Sequence, residues 1–148
     1  VSTMQPDVLQ LHGKETPERV AALKARHRLP VMKAIAVRDA ADLAAAAMFA
    51  GVADRLLFDA KPPREAELPG GNGLAFDWRL LATLDPGLDY MLSGGLNAAN
   101  VGEAIRLLDP PGLDVSSGVE SSPGVKDERL IAGFFAAARA ARANRSRS

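Results

Sequence analysis

Apolar runs too short for membrane helices alternate along this chain with helix signals at a nearly fixed interval, and this spacing limits the folds open to it. The runs are Val8-Leu9-Gln10-Leu11, Val31-Met32-Lys33-Ala34-Ile35-Ala36-Val37, Arg55-Leu56-Leu57-Phe58, Tyr90-Met91-Leu92 and Leu113-Asp114-Val115. Each is bounded by turn or polar residues, as expected of strands covered on both faces. Their centres lie about 23–24 residues apart, close to one βα unit, except for one step of about 34. Strict alternation of this kind predicts an α/β domain with a parallel sheet and right-handed crossovers.

The intervening segments carry helix punctuation. Thr16 before Pro17, with Glu18 in the first turn, reads as an N-cap followed by proline at the first helical position. Asp39 precedes an alanine-rich run from Ala40 to Ala50, which Gly51 stops. Asp77 is expected to cap a short Trp78–Leu81 helix. Asn97 opens a segment through Leu108 that Asp109-Pro110-Pro111-Gly112 ends, and Asp127 begins a last helix to about Ala143. The long step holds Pro62, Pro63, Pro69, Gly70, Gly71 and Gly73, a composition expected of a functional loop.

Composition narrows the function classes. The chain has 148 residues, with 18 Lys+Arg against 18 Asp+Glu, enough for one domain and without the net charge of a nucleic-acid binder. The absence of cysteine excludes disulfides, thiolate metal sites and cysteine nucleophiles within these 148 residues. No stretch reaches bilayer length, and no signal-peptide pattern opens the sequence, so a cytoplasmic location is expected. The C-terminal arginines Arg139, Arg142, Arg145 and Arg147 end a helix, where cations favour the dipole; a nucleic-acid tail is the alternative. Residues 144–148 are expected to form a frayed basic tail.

Chemistry-bearing residues gather just past the strand ends, the edge where parallel α/β folds bind ligands. His12-Gly13 follows the first strand, Asp59-Ala60-Lys61 the third, Ser93-Gly94-Gly95 the fourth, and Ser116-Ser117-Gly118-Val119-Glu120 the fifth. Gly94, Gly95 and Gly118 with Ser116 and Ser117 would let backbone amides approach a phosphate; the plainer reading is tight βα turns. Asp59 sits at the mouth of an apolar strand, where partial desolvation favours general-acid use; otherwise it caps a turn. His12 either meets an anionic substrate or is a hydrogen-bonded structural histidine. Lys33, inside an apolar strand, either aims its ammonium at the ligand edge or snorkels. His27 reads as a surface residue.

Taken in order and spacing, these pieces resemble the phosphoribosylanthranilate isomerase family, whose members are (β/α)8 TIM barrels of tryptophan biosynthesis. The resemblance rests on Gln10-Leu11-His12-Gly13, Lys33-Ala34-Ile35, Leu56-Leu57-Phe58-Asp59, Gly70-Gly71-Asn72-Gly73 with Phe76-Asp77-Trp78, Ser93-Gly94-Gly95-Leu96-Asn97 with Asn100-Val101, and Asp114 through Glu120 with Gly124-Val125-Lys126-Asp127. It implies that residues 1–148 form one partial barrel of about five βα units, the fourth to eighth. The first three strands and the Lys-x-Cys-Gly motif with the catalytic base would then be missing. The lack of an initiator methionine, and a length short of the roughly 200 residues of a full barrel, agree with that reading.

By the same resemblance the reaction is an Amadori rearrangement of N-(5-phosphoribosyl)anthranilate, needing neither metal nor organic cofactor. Asp59 matches the general acid, His12 and Asp114 match substrate-binding positions, and Gly94, Gly95, Ser116, Ser117 and Gly118 match the phosphate cradle. Ser93 stands where alanine is common. The implied partner is a small phosphosugar, with neither nucleic acid nor membrane, and the isolated chain is expected to be inactive for want of the cysteine. Open sheet edges would favour association or a homo-oligomer. The competing readings are another phosphosugar barrel enzyme and a non-catalytic partial-barrel scaffold.

Overall fold

The computed structural model describes residues 4–61, 78–85 and 87–145. Its centre is a sheet of five parallel strands in sequential order: β1 (Leu9–Leu11), β2 (Val31–Val37), β3 (Arg55–Ala60), β4 (Tyr90–Ser93) and β5 (Gly112–Leu113). Between them lie α1 (Pro17–His27), α2 (Ala40–Ala46) and α3 (Val101–Leu108), and α4 (Glu128–Arg145) closes the chain. Sequential order with every neighbour parallel is the outcome of βα repeats that cross over with one hand.

Local chemistry sets the helix starts. Thr16 Oγ1 accepts from Arg19 N and Pro17 occupies the first turn of α1, as the punctuation predicts. Asp39 accepts from the amides of Ala41 and Asp42 at the head of α2. Asp127 does the same for Arg129 and Leu130 before α4. The alanine-rich run departs from expectation: after Ala46 it tightens into a 3-10 turn, Ala47–Phe49, which turns Phe49 into the core. Trp78–Thr83 is likewise 3-10 rather than α-helical. Asp77 and the proline- and glycine-rich loop, with its Gly70-Gly71-Asn72-Gly73 and Phe76 motifs, lie outside the described residues, as does Arg147.

Strand register sorts every side chain to one of two faces. The pairs Lys33↔Leu56, Ile35↔Phe58, Leu56↔Tyr90, Phe58↔Leu92 and Leu92↔Leu113 place those residues on one side. That side carries the core: Val31, Val37, Leu56, Phe58, Tyr90 and Leu92 pack with Val20, Ala46, Phe49, Val101, Ala104, Ile105 and Phe134 from the helical layer. Phe58 and Tyr90 meet edge to face, with ring centroids 5.5 Å apart. Gln10, Met32, Ala34, Ala36, Leu57, Asp59, Met91 and Ser93 alternate onto the opposite face. Of these only Leu57 is buried.

Two elements differ from the sequence reading. A small antiparallel hairpin, β6 (Glu120–Ser122) with β7 (Val125–Lys126), follows β5, and Gly124 turns it at φ +80°. Residues 144 and 145, expected in a frayed tail, belong to α4, and residues 146–148 lie outside the described residues. Arg145 donates to the Arg106 carbonyl at the end of α3 (3.2 Å) and pairs with Asp109 (2.9 Å), while Arg142 donates to Pro110 O (2.8 Å). Arg145 thereby satisfies one of the orphan carbonyls at the end of α3.

Candidate active site

Three strand ends build one cleft. Asp59 closes β3, Ser93-Gly94-Gly95-Leu96 leaves β4, and Asp114 through Ser117 leaves β5; together with Lys61 they line a cleft of about 230 Å³. A larger cavity of about 600 Å³ is lined mainly by alanine and leucine and holds none of the expected site residues.

The cradle loops are fixed by main-chain contacts. Gly94 adopts φ +91°, and a Cβ there would run into the Ala60 carbonyl, so only glycine lets β4 leave the sheet so close to the end of β3. Gly118 approaches the Leu96 carbonyl just as closely, which seats the loop after β5 on the loop after β4. Gly95, at φ +63°, faces open space. Its carbonyl accepts from Asn100 Nδ2 at 2.9 Å, while Asn97 Oδ1 accepts from the Ala99 and Asn100 amides. A planar trans peptide then turns the Leu96 N–H away from Asn100. Among the described residues, no acceptor takes the N–H groups of Gly95, Leu96, Ser116 or Ser117, all of which line the cleft. An array of free main-chain donors is what a phosphate needs.

A salt-bridged hairpin braces this wall. Lys126 Nζ donates to Ser116 O (2.9 Å) and Ser116 Oγ (3.2 Å) and pairs with Glu120 (2.7 Å). Glu120 also accepts from Gly124 N (3.0 Å), and the hydrogen bond from Lys126, then that from Gly124, holds its carboxyl below the usual range.

Two carboxylates face the cleft from the uncovered side of the sheet. Asp59 and Ser93 are register partners, and Ser93 Oγ donates to Asp114 Oδ2 at 2.7 Å. Asp59 is partly covered, its side chain 32% exposed, and its carboxylate pairs with Lys61 at 2.7 Å.

The structure brings Asp59, Gly94, Gly95, Asp114, Ser116 and Ser117 together in the cleft, with Gly118 behind it as a spacer. His12 stands apart, exposed at the end of edge strand β1. Lys33 settles on the helical side: buried, it pairs with Glu15 at 2.9 Å beside the turn after β1 and does not line the cleft. Lys61 and the Ser93 hydroxyl are site contacts that the residue reading gave no role. The period of two from Asp59 to Lys61 was the available signal. Among the described residues no cluster of His, Asp or Glu is placed to hold a metal, and no helix is long and apolar enough to cross a membrane.

The family model for N-(5′-phosphoribosyl)anthranilate isomerase matches residues 1–137. The chain belongs to that family. It is 69% identical over 146 residues to the N-(5′-phosphoribosyl)anthranilate isomerase of Mesorhizobium japonicum, covering 99% of this chain and 67% of that protein. It is 64% identical over 137 residues to the Brucella canis isomerase, covering 93% and 62%. The phosphoribosylanthranilate isomerase structure from Thermotoga maritima superimposes with a TM-score of 0.78 at 37% identity, covering 94% of this chain and 64% of that one. A family member solved with reduced 1-(o-carboxyphenylamino)-1-deoxyribulose 5-phosphate matches with a TM-score of 0.74 at 34% identity, covering 94% and 62%. The chain thus spans about two thirds of the length of these relatives.

Proposed function

We propose that this chain carries the phosphate anchor and the general acid of a phosphoribosylanthranilate isomerase. The observation that carries this reading is the single cleft in which Asp59 and Asp114 stand beside free main-chain amides at the ends of adjacent parallel strands. The five βα units correspond to the fourth to eighth of a (β/α)8 barrel, and the uncovered sheet face carrying Met32, Ala34 and Met91 corresponds to its interior.

In this reading the phosphate of N-(5-phosphoribosyl)anthranilate sits on the amides of Gly95, Leu96, Ser116 and Ser117, with Gly94 and Gly118 holding the two loops together. Asp59 then lies on the sugar side and donates a proton to the ribose ring oxygen, so that the ring opens to an imine. Loss of the C2 proton converts the imine to the enolamine, which rearranges to 1-(o-carboxyphenylamino)-1-deoxyribulose 5-phosphate. The base for that step is a cysteine supplied by a segment of the complete enzyme beyond these residues, since this chain contains none. Asp114, held by Ser93, and His12 face the ribose and anthranilate parts of the substrate. The substrate nitrogen lone pair drives ring opening, so the reaction proceeds without metal or organic cofactor. The enzyme is cytoplasmic, and copies associate; one neighbouring structure is described as monomers derived from a dimeric isomerase of Thermotoga maritima.

Turnover of phosphoribosylanthranilate by the complete enzyme tests the reading, with Asp59→Asn as the decisive variant. The substitution keeps size but cannot donate the proton, so kcat should fall by roughly 10²–10⁴ with KM little changed. Near-normal kcat would remove Asp59 from the acid role and leave Asp114 as the candidate.

A further inference from the structure

Lys33 is the one buried charged residue in the described core, 3% exposed, and lies on the face of the sheet opposite the cleft. Its three polar contacts all fall on one short segment: Leu11 O (3.5 Å), Gly13 O (2.9 Å) and Glu15 Oε2 (2.9 Å). The two carbonyls flank His12. Glu15 returns the clamp by accepting from Gly13 N at 3.2 Å through its other oxygen. Lys33 and Leu11 are register partners on adjacent strands, and the Phe49 ring lies 5.6 Å from the ammonium. The ammonium is thus sealed on the apolar side and bonds toward the turn after β1. A buried cation loses heavily if any partner leaves, so the turn is held in one conformation. His12, exposed at the ligand edge, has no side-chain contact of its own to fix it among the described residues.

We infer that Lys33 is a positioning residue for His12: reaching through the sheet edge from the helical layer, it fixes the main chain on either side of that histidine. The inference rests on the isomerase reading, in which His12 meets the substrate. It separates two roles within one motif, since His12 contacts ligand while Lys33 and Glu15 set where it stands. Glu15 is held below the usual carboxylate range mainly by the hydrogen bond from Lys33.

A kinetic double-mutant cycle in the complete enzyme tests this, with phosphoribosylanthranilate as substrate and Lys33→Met, His12→Ala and the double variant compared with the parent. Lys33→Met should raise KM and lower kcat/KM by about 10–100-fold when His12 is present, yet change kcat/KM by less than about twofold in the His12→Ala background. Equal losses in both backgrounds would show that Lys33 supports the fold at large, and would overturn the inference. So would His12→Ala with unaltered kinetics. If Lys33→Met does not fold, Glu15→Gln runs in the same cycle, with about a 3–10-fold loss expected only when His12 is present. A parent enzyme without turnover would refute the isomerase reading itself, an outcome distinct from an additive cycle.

Discussion

Gly94 and Gly95 are neighbours in the same loop, both at positive φ, yet replacing them with alanine should have unequal effects. At Gly95 a Cβ meets nothing within 4 Å, so the penalty is only that of an L-residue at φ +63°, about 1–2 kcal/mol. At Gly94 the same conformational penalty applies at φ +91°, and the Cβ also overlaps main-chain atoms of Ala60, which no rotamer change relieves. Overpacking against backbone adds about 1–3 kcal/mol, giving about 2–5 kcal/mol in all. Urea unfolding of the two variants of the complete enzyme measures the difference from the midpoints at constant m. KM gives a second reading: moving Gly94 drags the Gly95 and Leu96 amides, so KM for the phosphorylated substrate should rise more for Gly94→Ala than for Gly95→Ala. Equal destabilisation, or the reverse order, would refute the claim that the Ala60 approach makes this glycine obligatory.

Other substitutions probe the rest of the site. Ser93→Ala removes the single hydrogen bond from Ser93 to Asp114, so kcat/KM should fall by only about fivefold, checked by steady-state kinetics. Lys126→Met frees Ser116 from its brace and should raise KM severalfold with kcat nearly constant; a fall in kcat alone would argue against an anchoring role. Asp54 accepts from Val31 N (2.8 Å) and pairs with Lys24 (2.7 Å), and the hydrogen bond from Lys24 is the main cause of its lowered pKa. Because the folded pKa is depressed, this stabilisation is full above the unfolded value near 3.8 and is lost as pH falls through the folded one. With a 41% exposed side chain the contribution is about 0.5–1 kcal/mol, so Asp54→Asn should destabilise at pH 7 and match the parent at low pH in thermal melts.

The parallel sheet was legible because short apolar runs recur at βα spacing, and a strand forms at each of the five, although the fifth is Gly112–Leu113 and leaves Asp114 and Val115 beyond its end. Caps at Thr16, Asp39 and Asp127 were legible because each places an oxygen acceptor ahead of free helix amides. The β6–β7 hairpin was not, since Glu120-Ser121-Ser122-Pro123-Gly124 has no apolar alternation and pairs through only a few ladder positions. The side taken by Lys33 was undetermined for a different reason: β2 is apolar at nearly every position, and only its register with β1 and β3 decides which residues face the helices. Residue type made Asp59 a candidate and the family resemblance added Asp114, whereas the Ser93–Asp114 bond depends on the juxtaposition of two strand ends, which no single-strand pattern encodes.

The wall of the cleft proposed to hold the phosphate offers peptide N–H groups as its donors. Peptide N–H groups do not titrate in the range where proteins stay folded, so the grip of the cradle should be nearly constant across working pH. Any bell in the pH–rate profile would then report groups other than these amides, the ionisation of a bound phosphate among them. Peptide donors are also blind to most substitutions: exchange of the Leu96 or Ser117 side chain leaves the N–H in place, whereas an insertion or deletion in either loop removes it. Drift in these loops should therefore be tolerated in letters and resisted in length.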